Sequence, residues 1–131
     1  MKKHLAMFAA ALLLVLGLGT AAYAQHGFIF LGEAHVDGGN DHDNIKVTGS
    51  EGEFRAIQLR VDGGAVEFDR VVVHFGNGSE EVLPIRTRIP SHGATRVIDL
   101  PGDRRIIHSV ELWYSKDNWH KRPTVSLFGL R

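Results

Sequence analysis

The 131-residue sequence has no cysteine. That absence excludes disulfide frameworks, thiolate zinc sites, iron–sulfur clusters and thiol nucleophiles. Nor is there an excess of either charge: 15 Lys and Arg stand against 15 Asp and Glu. A strongly basic chain is ruled out, and nucleic acid is not expected as a partner. Proline is sparse, at 4 residues, and beyond residue 24 no segment of helical length carries an apolar stripe of helical period. What remains is ordinary in composition, 44% hydrophobic and 23% charged, and its length suits one small globular domain.

The first segment has a different character. Met1-Lys2-Lys3-His4 is a short basic start, Leu5 to Leu16 is an unbroken apolar run, and Ala22-Tyr23-Ala24 is a small-x-small site before Gln25. These are the parts of a secretory signal peptide. Leu5 to Ala24 is uncharged and 20 residues long, close to the minimum of about 20 for a spanning helix. Gly17, Gly19 and Thr20 interrupt it, however, which suits cleavage better than an anchor. The expected division is a signal peptide over 1–24 and a mature domain over 25–131, periplasmic or secreted, with no stable membrane anchor. Without Lys2 and Lys3 the mature chain holds 13 basic and 15 acidic residues, a net of −2. Lacking disulfides, such a domain must be held by apolar packing.

From Gly27 onward apolar residues recur with a period near two, in runs rich in Val, Ile and Phe and bounded by Gly, Asn, Asp or Pro. This is the strand signature. Strands are expected at Gly27 to Leu31, Ile45 to Val47, Ile57 to Val61, Val66 to Phe75, Glu81 to Ile89, Thr95 to Leu100, Arg105 to Tyr114 and Pro123 to Leu130. Asp62-Gly63-Gly64 is read as a hairpin turn joining Ile57–Val61 to Val66–Phe75. Asn77-Gly78 is the strongest hairpin signal, and Pro101-Gly102-Asp103 reads as a further turn. Pro84 is expected on an edge strand or at a bulge, because proline cannot donate to a ladder. The fold class is all-β: a single antiparallel β-sandwich of about eight strands, jelly-roll or lectin-like.

The runs Leu31-Gly32, Asp41-His42-Asp43-Asn44-Ile45, Phe54-Arg55-Ala56-Ile57, Phe75-Gly76-Asn77-Gly78 and Arg96 to Ile106 together resemble a bacterial family of short exported proteins. That family is classed as a domain of unknown function. The resemblance covers nearly all of the mature chain and implies a compact extracytoplasmic β domain. It implies no activity, cofactor or site residue.

Four groups of side chains have the chemistry of a site. The loop Asp37 to Asn44 carries alternating carboxylates; Asp37, Asp41 and Asp43, with His35 or His42, are candidate ligands for calcium or zinc. It lacks the glycine and glutamate positions of an EF-hand, and the bland reading is a polar turn before a strand. Seven histidines follow residue 24; His74 reads as half-buried and satisfied, and His108 is placed on one face with Ile106, Val110 and Leu112. Arg86 and Arg88 share a strand face, with Arg96, Arg104 and Arg105 also in the second half, and could grip an anion or pair with carboxylates. Trp113, Tyr114 and Trp119 surround a polar loop with Asn118; one of Trp113 and Tyr114 belongs to the core, and Trp119 is the better exposed platform. No nucleophile motif is present and no catalytic residue is assigned.

The expectation is a non-catalytic binding or structural module of the cell envelope, with a glycan or protein ligand. Trp113, Asn118, Trp119, Arg86 and Arg88 are its candidate contacts. The alternatives are a divalent-metal protein and a hydrolase.

Overall fold

The computed structural model describes residues 27–36, 41–116 and 121–131, and they form two antiparallel sheets packed face to face. The strands are β1 (Phe28–His35), β2 (His42–Lys46), β3 (Glu53–Phe54), β4 (Ala56–Asp62), β5 (Val66–Phe75), β6 (Glu80–Leu83), β7 (Arg88–Ile89), β8 (Ile98–Asp99), β9 (Arg105–Lys116) and β10 (Thr124–Leu130), with a short 3₁₀ turn at Gly49–Glu51. One sheet, the β10 sheet, has the order β1-β10-β4-β8; the other, the β9 sheet, has the order β2-β9-β5-β6, with β3 beside β9 and β7 beside β5. The pairing is nested: β1 with β10, β2 with β9, β4 with β8 and β5 with β6. A long hairpin rolled across two sheets is a jelly roll.

The alternation of apolar residues holds along each strand only because three bulges correct it. In β5 the core residues are Val66 and Phe68, then Val71, Val73 and Phe75, a change of parity that coincides with a register shift between Phe68 and Arg70. In β9 Ile107 is followed by Val110, Leu112 and Tyr114, and the ladder slips between His74 and Phe75, leaving His108 without an opposite residue. In β1 Leu31 gives way to Ala34 and Val36, with a shift between Phe30 and Gly32. Each extra residue returns the following side chains to the core face.

These corrections explain where simple alternation fails. His108 does not share a buried face with Val110 and Leu112: it is exposed, and Ile106 is 43% exposed. Asp62-Gly63-Gly64 is not a hairpin turn. It carries the chain from β4 in one sheet to β5 in the other, with Gly63 and Gly64 at φ 82 and 149, a corner that the same residues make as readily as a hairpin. The Glu81 to Ile89 run is split into β6 and β7, with Pro84 between them and β6 at the sheet edge. Thr95 to Leu100 shrinks to β8, because Thr95 instead bonds β4 through its backbone N–H to Leu59 O at 2.8 Å. Asn77-Gly78 does form the β5–β6 hairpin, with Gly78 at φ 91 and its N–H on Phe75 O at 3.0 Å.

The core is continuous between the sheets, and its largest fully buried side chains include Phe54, Phe68, Tyr114, Ile57, Leu59 and Leu127. Gly129 in β10 shows how tightly they are packed. A Cβ there would lie 2.6 Å from Phe54 Cδ1 and 2.8 Å from Leu31 Cδ1. Gly129→Ala is therefore expected to cost about 1–3 kcal/mol by overpacking, lowering Tm by about 4–8 °C per kcal/mol in a domain of this size. Thermal melting followed by circular dichroism checks this, and a wild-type Tm would show that the two side chains yield freely.

Candidate functional site

The described members of the acidic loop do not gather. His42 and Asp43 alternate on β2, so Asp43 turns toward the core and accepts a hydrogen bond from the buried Tyr114 hydroxyl at 2.6 Å. Asp41 is exposed and uses its backbone carbonyl to accept Tyr114 N–H at 2.9 Å. His35 lies in the other sheet, paired with Glu33 at 3.0 Å. Among the described residues no group of three or more His, Asp or Glu is placed to hold a metal ion. Asp37, Asn118 and Trp119 lie outside the described residues. Arg88 sits on β7 and borders a cleft with Asp62 and His92, whereas Arg86 falls in the break between β6 and β7.

On the outer face of the β9 sheet a row of side chains crosses β2, β9, β5 and β6. His42 Nε2 donates to Glu111 Oε2 at 2.8 Å, and His74 Nε2 donates to Glu111 Oε1 at 2.5 Å. His74 Nδ1 lies 3.3 Å from Glu80 Oε2. Sequence alternation placed His74 correctly as half-buried and satisfied. Beneath this row Val72, on the same face, is only 2% exposed.

Trp113 belongs to the same face, while Tyr114 is in the core at 1% exposure. The Trp113 ring is contacted from both neighbouring strands: by His42, with ring centroids 4.6 Å apart, and by the Arg70 guanidinium, 5.1 Å from its centroid. It is an engaged ring rather than an open platform.

The outer face of the β10 sheet carries the open aromatic surface. Phe30 on β1 is opposite Phe128 on β10, which is opposite Gln58 on β4. The two rings meet edge to face, 5.7 Å between centroids, and Phe30 stays 51% exposed. The Arg60 guanidinium covers Phe128 at 3.9 Å and approaches Phe28 at 5.2 Å. Its Nε donates to Gln58 Oε1 at 2.9 Å, and Gln58 Nε2 donates to Thr95 O at 2.9 Å. The arginine is thus fixed by a side chain that is itself fixed.

Beside this cluster is a cleft of about 340 Å³ bordered by Arg60, Asp62, His92, Ser126 and Phe128. The segment that walls it lies along β4, with His92 N–H on Val61 O and Val61 N–H on Gly93 O, both at 2.9 Å. His92 takes a positive φ of 65 and its Nδ1 lies 2.9 Å from Asp62 Oδ1. In the sequence His92 stood out only as one of the seven histidines that follow residue 24 and Asp62 only as part of a turn, and Arg60, Ser126 and Phe128 did not stand out. The available signal was Phe28 and Phe30 at i and i+2, masked because Ile29 and Leu31 make both faces of that strand apolar.

The row on the β9 sheet has a pH signature. Hydrogen bonds from His74 and then His42 hold the Glu111 carboxyl below its ordinary value of 4.5, against a smaller opposing effect of burial. A carboxylate held low contributes stability that is present above its unfolded pKa and is lost as pH falls through the folded one. Tm is expected to fall below about pH 4.5, with Glu111→Gln lacking that component of the fall. Melting curves between pH 3 and 7 decide it: parallel acid limbs in the two proteins would contradict the assignment.

Comparison with curated proteins finds no match. Among solved structures, AlgX of Pseudomonas aeruginosa is similar with a TM-score of 0.50 and 11% identity, over 82% of this chain and 28% of AlgX. A mutant of a family 29 carbohydrate-binding module is similar at TM-score 0.38 and 13% identity, over 80% of this chain and 79% of the module. Hydroxypropylphosphonic acid epoxidase from S. wedmorenis follows at 0.34 and 11%, over 82% and 46%. This chain therefore spans less than a third of AlgX and less than half of the epoxidase, and at such identities the likeness is one of fold alone. Residues 8–129 match the family described as Domain of unknown function (DUF2541); covering nearly the whole sequence, the match makes the protein a member of the DUF2541 family.

Proposed function

We propose that the protein is a non-catalytic binding module of the cell envelope, exported by cleavage after Ala24, and that it holds a glycan on the outer face of the β10 sheet. The observation that carries this reading is the pairing of a half-exposed Phe30 ring with polar groups held in place around it. A saccharide presents an apolar face of C–H groups and a rim of hydroxyls. The ring suits the first. Arg60, Asp62, Ser126 and His92 around the adjoining cleft supply donors and acceptors for the second. Arg60 is pre-oriented by Gln58 and Phe128, so little side-chain freedom is lost on binding.

Non-catalytic action fits the disposition of the acid–base groups. The His42, Glu111, His74 and Glu80 side chains are bonded to one another along an open sheet face rather than aimed at a common point where a reacting atom would sit.

Affinity electrophoresis against soluble polysaccharides and peptidoglycan fragments tests the ligand. Phe30→Ala is expected to weaken retention roughly threefold to tenfold, the worth of one aromatic contact. Arg60→Gln should weaken it as well, and Trp113→Ala should leave it unchanged. Retention of no glycan, or equal retention of wild type and Phe30→Ala, would remove the glycan reading and leave a protein ligand to be sought. For export, intact mass of the protein from the envelope fraction should correspond to a chain starting at Gln25; a mass including Met1 to Ala24 would refute it.

A further inference from the structure

At the end of the sandwich where β3 meets the start of β9, a cleft of about 570 Å³ opens over an apolar floor of Val47, Phe75 and Ile107, with Glu53, Arg104 and Arg105 on its border. Its volume is that of a small-molecule site. It is separate from the aromatic face of the β10 sheet, and none of its border residues belongs to the His–Glu row.

The group that gives this cleft chemistry is the Arg105 guanidinium. It lies over the Phe75 ring, 3.7 Å from the centroid. Nη1 donates to Pro101 O at 2.9 Å and Nη2 to Ser79 Oγ at 3.0 Å. Ser79 Oγ donates in turn to Asn77 Oδ1 at 2.7 Å, so the acceptor is itself held. All of these partners are neutral. Among the described residues, no ion pair brings a carboxylate to Arg105 or Arg104. Arg105 is half-buried, its orientation is fixed on both sides, and its charge is left without a counter-ion. Taking a cation partly out of water without a partner is unfavourable, and a pre-oriented guanidinium is the group best suited to a carboxylate or phosphate.

We infer that this cleft is a second binding site, one that takes the single anionic group of a small ligand on Arg105 while the ligand's apolar body covers Val47 and Ile107. Arg104, adjacent on the rim, adds to the positive potential. Glu53, across the ladder from Ile106 and also on the border, limits the ligand to one anionic group, because a second would meet a carboxylate. Ile106, 43% exposed at the cleft, extends the apolar surface that the body of the ligand would cover.

The test uses benzoate and phenyl phosphate as probes, with benzyl alcohol as the neutral control, followed in ¹H–¹⁵N spectra of the protein. Saturable shifts of the Arg105 Nε–H and of the Gly76 and Ile106 amides are expected with the anions and not with the alcohol. Benzoate binding alone would name a carboxylate ligand, and tighter binding of phenyl phosphate would name a phosphate monoester. Arg105→Gln should weaken binding by about tenfold or more, the worth of a charged hydrogen bond. Should that variant fail to fold, as its melting curve would show, Gly49→Leu gives the same answer. A Cβ at Gly49, on the border of the cleft, meets no atom within 4 Å, so a leucine is accommodated there without a clash, and its added bulk at the rim should weaken binding. Equal binding of benzyl alcohol, shifts that do not saturate, or an affinity unchanged in Gly49→Leu would each overturn the site. Phe30→Ala leaves this cleft intact, so failure here and failure of the glycan reading are separate results.

Discussion

The two-residue period of the β-strand is the constraint on which this structure depends. A sheet packed on one side can place apolar side chains on only one face, and every residue out of step turns the rest of its strand inside out. β5 and β9, of 10 and 12 residues, are the longest strands, and both contain such a step. The bulges after Phe68 and at His108 absorb it. The result is a core with no cysteine to brace it, in which every buried side-chain polar atom among the described residues has a hydrogen-bond partner.

The same bulges decide what the protein shows to solvent. By holding the core residues inward along the full length of each strand, they give both sheets outer faces of consistent character. One becomes a row of imidazoles and carboxylates across β2, β9, β5 and β6. The other becomes an aromatic cluster on β1 and β10 with an arginine laid over it. The residue that the β9 bulge leaves over, His108, turns outward to the cleft at the β3 end. Local irregularity in the ladder thus shapes the surfaces where a ligand would be met.

Charge is distributed by a simple division of labour. Among the described residues His35, His42, His74 and His92 pair with carboxylates, while Arg60, Arg70, Arg105 and Arg131 each lie over an aromatic ring. Arginine stacked on a ring keeps its charge and most of its N–H groups uncommitted to carboxylate. A sequence with 15 Lys and Arg against 15 Asp and Glu therefore looks neutral in sum and yet presents fixed guanidinium groups at separate places. The sum could not show this, since pairing is a property of space rather than composition.

The all-β class, most of the strand centres, the Asn77-Gly78 hairpin and the opposite facing of Trp113 and Tyr114, one of them core, were legible in the sequence, because each depends on residues a few positions apart: alternation, turn chemistry, opposite faces of one strand. Tertiary structure alone decided the rest. Asp62-Gly63-Gly64 is a corner between sheets because β4 finds its partners in β8 and β10, which no local signal around the turn encodes. Trp113 is clasped by His42 and Arg70 from strands 71 and 43 positions away in sequence, and Phe30 finds Phe128 across nearly the whole chain. Arg105 keeps an unpaired charge because turns at Pro101 and Ser79 reach it before any carboxylate does. Short-range chemistry determined the elements; which side chains share a surface depended on nested strand pairing, and that pairing brings together β1 and β10, the first and last strands of the described residues.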